Sequence, residues 1–151
     1  MEQNQLEITI DLDDYSAGLF GKLYSNNFCG VGEGWFNLVD IKSFIEKARD
    51  MLESIEGTAN LVAGQNKTDG TEYLERFGLR CYPIGKTGTI GIHVTLTDYP
   101  YTDCRPEEVY KVSGELKSEI QLVDNFLNEL ANLISGNKSK AILLGKNENI
   151  I

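Results

Sequence analysis

Chemistry in this chain would have to start from one histidine, His93, three cysteines, two glycine-rich runs and a cluster of aspartates near the N-terminus. A cysteine nucleophile needs a neighbouring base to hold it as thiolate. No motif around Cys29, Cys81 or Cys104 supplies one, and their spacing forms neither CxxC nor another compact ligand set. Reduced thiols are expected. Gly30-Val31-Gly32-Glu33-Gly34 resembles a nucleotide loop only superficially, because its third glycine is misplaced for GxGxxG and Glu33 would repel a phosphate. Gly85-Lys86-Thr87 ends like a P-loop, but Arg80 stands where the first glycine is required and the following residues alternate as a strand. A hairpin turn accounts for it. Asp11, Asp13 and Asp14 lack the glycine and closing glutamate of a calcium loop and read as a solvated strand end. The sequence therefore predicts no enzyme, no cofactor and no metal.

The elements that carry these residues follow from periodicity. Ile41, Phe44, Ile45, Ala48, Leu52 and Ile55 make one apolar helical stripe, and Val123, Phe126, Leu127, Leu130, Leu133 and Ile134 make another. Asn37 or Asp40 can cap the first helix, Gly57 can end it in the left-handed region, and Gly136 stops the second. Period-two alternation marks strands at residues 8–12, 59–63, 77–81 and 90–96, with further strands expected within 19–36 and 109–116. Glycines 30, 32 and 34 share one strand face, so Trp35, a helix or a bulge can lie close there. Trp35 and Phe36, just before the first helix, are expected in the core. The simplest assembly is α+β: one antiparallel sheet of about five to six strands with both amphipathic helices on one face.

Length and composition allow a single domain over residues 1–136, followed by a tail, 137–151, that is either flexible or adds a short strand. No apolar run is long enough to span a membrane, and residues 1–14 are acidic where a secretion signal would be basic, so a cytoplasmic protein is expected.

Charge is the feature that points to function. The chain carries 23 acidic and 14 basic residues, a net charge of −9. Such a surface repels nucleic acid and anionic membrane and attracts basic proteins, over a screening length of about 8 Å at physiological salt. The excess is uneven: residues 1–36 hold six acids and one base, 107–136 hold six and two, and 57–106 balance at five of each. Tyr99, Pro100 and Tyr101 lie in a loop between Asp98 and Asp103, and exposed tyrosine beside carboxylates suits a protein-binding patch. Charge and expected exposure select Asp11, Asp13, Asp14, Glu33, Asp98, Tyr99, Tyr101, Asp103, Glu107 and Glu108 as partner-binding candidates.

The run Gly30-Val31-Gly32-Glu33-Gly34-Trp35-Phe36 passing into a helix, then Gly57-Thr58-Ala59-Asn60-Leu61, Gly91-Ile92-His93-Val94-Thr95-Leu96 and residues 122–134 after a strand resemble small immunity proteins. These belong to bacterial polymorphic-toxin and contact-dependent inhibition systems, of the cell-wall-associated-toxin inhibitor type. The resemblance covers most of residues 6–134 and implies a fold and a role, with no catalytic residue to carry over. That role is to bind and neutralise a cognate toxin, many of which are nucleases with basic surfaces. Two other readings stand beside it: a small-ligand or enzymatic domain with a pocket near His93, and a structural subunit that homodimerises through an exposed sheet face.

Overall fold

The computed structural model describes residues 3–71 and 73–146. Strands β1 (Gln5–Leu12), β2 (Ser16–Ser25) and β3 (Phe28–Asn37) run into helix α1 (Leu38–Ser54), which is followed by β4 (Ala59–Asn66), β5 (Tyr73–Ile84), β6 (Thr89–Asp98) and β7 (Tyr110–Glu119). Helix α2 (Ile120–Ile134) and strand β8 (Lys140–Leu144) complete the order. The strands form two antiparallel four-stranded sheets, β3-β2-β1-β8 and β4-β5-β6-β7, in place of the single sheet of five to six strands that periodicity suggested.

The reason for the second sheet lies in the glycines of β3. A Cβ added at Gly30 would meet Val112 of β7 at 2.6 Å, one at Gly32 would meet Leu96 of β6 at 3.0 Å, and one at Gly34 would meet Ala63 of β4 and Phe77 of β5 at 2.8 Å. One strand thus lies across all four strands of the other sheet, as in crossed sheet packing. Side chains at these positions would hold the sheets apart. What lies close to the glycines is the second sheet itself, whereas Trp35 points the opposite way and covers Gly18 of β2, where an added Cβ would come within 2.7 Å of its ring. Trp35 is therefore 55% exposed and Phe36 is core, correcting the expectation that both are buried. Adjacent strand residues face opposite sides. Phe36 meets Phe77 edge to face, with ring centroids 5.5 Å apart, joining the two sheets.

Both helices start directly from a strand. Ile41, Phe44, Ile45, Ala48, Met51 and Leu52 are the buried stripe of α1, and Val123, Phe126, Leu127, Leu130 and Leu133 that of α2. The helices touch each other, and each touches strands of both sheets, so they cover a shared core instead of one face of one sheet. Asn37 is the N-cap of α1 without a side-chain capping bond, and Ile55, at φ 55°, ends that helix in the left-handed region two residues before Gly57.

β8 pairs with β1, with Leu6 opposite Leu143, and buries Ala141 and Leu143 completely. A topological repeat then emerges. Each half is a three-stranded meander whose last strand enters a helix, and the strand after that helix pairs with the other half: β4 with β5, and β8 with β1. β3 and β7 share the same burial pattern along their ten residues.

Candidate functional site

Register fixes what the outer face of the first sheet presents. Asp11, Gly18 and Trp35 form one row across β1, β2 and β3; Thr9, Phe20 and Glu33 form the next; Glu7, Lys22 and Val31 the third. Because the opposite face of β3 is glycine packed on the second sheet, every large side chain of residues 29–35 projects outward. Trp35, Phe20 and Val31 are 55%, 43% and 49% exposed, an aromatic and aliphatic strip interrupted by Glu33.

Two grooves border this strip, of about 530 and 560 Å³, and both are lined by Phe20, Glu33 and Arg76. Arg76 reaches there through a bulge. β4 and β5 pair Ala63 with Phe77 and then Gly64 with Glu75, which leaves Arg76 as the extra residue. An added Cβ at Gly64 would collide with the Leu74 carbonyl, so the bulge requires glycine. The Arg76 guanidinium donates to the Tyr99 carbonyl oxygen at 3.2 Å and lies 5.4 Å from the Tyr99 ring centroid.

Asp11 and Glu33 line the larger groove, and Glu33 and Asp98 the smaller one, so three of the predicted carboxylates surround the exposed aromatics. Tyr99 supports Arg76. The remaining candidates lie elsewhere or are occupied. Asp13 and Asp14 form the β1–β2 turn, where the Asp13 carboxylate accepts from the Asp14 N–H. Asp103 accepts from the Thr68 hydroxyl at 2.7 Å, and Glu107 lies 3.9 Å from Arg105. The Tyr101 hydroxyl donates to Glu108 at 2.6 Å, and the same carboxylate accepts from the Arg105 N–H. These bonds hold the Glu108 carboxyl below its ordinary range and raise the Tyr101 hydroxyl. Periodicity alone overlooked Phe20, Val31, Trp35 and Arg76. The signal for Val31 and Trp35 was present, since they alternate with the glycines.

His93 sits on the outer face of the second sheet, opposite Arg80 on one side and Glu115 on the other. Arg80 makes a two-bond ion pair with Glu75, the shorter at 2.6 Å, which raises the guanidinium further. The Tyr82 hydroxyl donates to Glu115 at 2.7 Å, and partial burial together with that carboxylate pushes it up to about 12. His93 lines neither groove. Cys29, Cys81 and Cys104 are free thiols, and Cys81 is buried enough to be pushed up to about 12.

With two crossed four-stranded sheets and two helices, the chain is an α+β protein whose first sheet presents an exposed aromatic and aliphatic strip bordered by Asp11, Glu33, Asp98 and Arg76. Among the described residues no helix is long and apolar enough to cross a membrane. Comparison with family models, with curated proteins and with solved structures gave no match.

Proposed function

We propose that this protein is an inhibitor of the immunity type, which neutralises a basic toxin by binding it through the outer face of the first sheet. The observation that carries the reading is the exposed strip of Phe20, Val31 and Trp35 set among Asp11, Glu33 and Asp98. Large aromatics bordered by charge make binding hot spots when a partner excludes water from them. A net charge of −9 then steers a cationic partner, raising association toward about 10⁸ M⁻¹s⁻¹ at low salt. A cytoplasmic site of action fits this role, since the toxin would be met where it acts.

The test is co-expression with a toxin encoded beside this gene. The wild-type chain should restore growth, and the triple reversal of Asp11, Glu33 and Asp98 to Lys should lose rescue and slow association at least tenfold at low salt. Failure of rescue, or an association rate that ignores salt, would sink the proposal. The ligand-pocket alternative near His93 predicts a measurable activity lost in His93→Ala. The homodimer alternative predicts a doubled mass at micromolar concentration.

A further inference from the structure

Strand β3 is the outermost strand of its sheet, bonded to β2 on one side only. Its turn from β2 is the two-residue Asn26-Asn27 loop, both residues left-handed at φ 54° and 70°. Such a turn makes Ser25 and Phe28 the closing hydrogen-bonded pair. Alternation along an antiparallel ladder then assigns the backbone groups of residues 28, 30, 32, 34 and 36 to β2. Those of Cys29, Val31, Glu33 and Trp35 point to the free edge, over about 20 Å of strand.

Exposed edges normally carry a device against pairing: brevity, a bulge, lysines, proline or a covering segment. Among the described residues the other three edges each have one. β8 is five residues long and begins with Lys140, which is paired to Glu7. The ladder under β4 is broken between Ala63 and Gly64, where β5 bulges at Arg76. β7 holds Lys111 and Lys117, and its Lys117 carbonyl accepts from the Lys146 N–H at 2.8 Å. β3 has ten residues without a bulge, a lysine or a proline, and its outward side chains are Cys29, Val31, Glu33 and Trp35. The smaller groove runs beside it, and its lining also includes Arg76, Asp98, Tyr110 and Lys111.

We infer that β3 receives an extended segment of the basic partner as a fifth strand of the first sheet. This rests on the binding role proposed above. A second copy is disfavoured as the occupant because each chain carries −9, whereas a strand with a cation opposite Glu33 and apolar residues toward Val31 and Trp35 complements the edge. The recognised pattern is apolar-x-Lys/Arg-x-apolar.

Ten-residue random peptides, displayed and selected on the full chain, test this without knowledge of the toxin. Trp35, the single tryptophan, stands on the edge strand with its ring over Gly18 of β2, and its fluorescence reports binding of the synthesised peptides. Proline at position 31 removes an N–H that β2 does not use, so V31P should fold and bind the selected peptides at least tenfold more weakly. E33K should select acidic residues at the central position. Methylating the peptide's backbone nitrogens one at a time should weaken binding with period two, which tests the idea even if V31P fails to fold. Failure to select any binder, equal affinity for V31P, or absence of the two-residue period would overturn the inference, and so would a wild-type dimer that V31P dissociates. Growth rescue with a V31P chain that binds toxin undiminished would refute strand addition while leaving the inhibitor role intact.

Discussion

Gly34→Ala tests the crossing of the two sheets. An added Cβ would stand 2.8 Å from the Cβ atoms of both Ala63 and Phe77, which are directly opposed across β4 and β5. Ordinary contact begins near 3.4 Å. Neither neighbour can retreat by changing rotamer, because a Cβ moves only with its backbone. Overpacking of this kind costs about 1–3 kcal/mol, offset by about 0.4–1 kcal/mol from the stiffer unfolded chain. The net destabilisation should be about 1–2 kcal/mol. Gly114 in β7 provides the control: a Cβ there meets nothing within 4 Å, so Gly114→Ala should be neutral or stabilising by up to about 1 kcal/mol. Urea unfolding followed by circular dichroism measures both, with an unchanged m-value showing that the unfolded reference is the same. For a domain of this size the variants should melt about 4–10 °C apart. If Gly34→Ala matches or exceeds the stability of Gly114→Ala, β3 does not lie on the second sheet as described.

Stability should fall in alkali. Cys81 and Tyr82 have folded-state values near 12, above their ordinary 9 and 10, so the contribution is complete below pH 9 and is lost as pH rises toward 12. The Cys81 contribution is about 4 kcal/mol at its limit. Cys81→Ala should flatten the decline in urea midpoint between pH 9 and 11, and an unchanged slope would refute the cause. Leu143→Ala empties a fully buried site between β8 and the core and should cost about 2–5 kcal/mol by thermal or urea unfolding. Ser118→Ala removes the 2.7 Å bond from a buried hydroxyl to the part-buried Leu144 carbonyl and should cost about 1–3 kcal/mol in the same assay.

Helices were the most legible part of the sequence, because a stripe such as Val123, Phe126, Leu127, Leu130 and Leu133 has one solution wherever the core lies. Strand alternation located Ile90, Ile92, Val94 and Leu96 equally well, and the turn after Ile84 has Gly85 and Gly88 at positive φ as its composition suggests. Alternation does not say which sheet a strand joins. The inward faces of β1 and β6 have the same apolar character, and the division into two sheets shows in the contacts between them, such as those of Gly21, Gly30, Gly32 and Gly34 with the second sheet. Residues 19–36 hide a hairpin, with Asn26 and Asn27 in left-handed positions that carry no glycine to advertise them. Of the candidate contacts, Asp11 and Glu33 share one groove and Glu33 and Asp98 the other through register and sheet crossing, which no local pattern encodes. Tyr101 and Glu108 satisfy each other, a pairing seven residues apart that charge counting treats as two free groups.

The exchange of β4 and β8 between the halves also sets an order of events for a growing chain. β4 meets β5 across a short loop, so the second sheet can form while synthesis continues. β1 emerges first yet has to wait for Leu143 before its far edge is covered. Closing that pairing spans nearly the whole chain, the kind of distant contact that slows folding. Once made, the contact fastens Asn4 to Gly145 through a 2.8 Å backbone bond, so a short linker between these positions, with new ends cut in the turn at residues 85–88, should give a permuted chain that folds with its first sheet completed early.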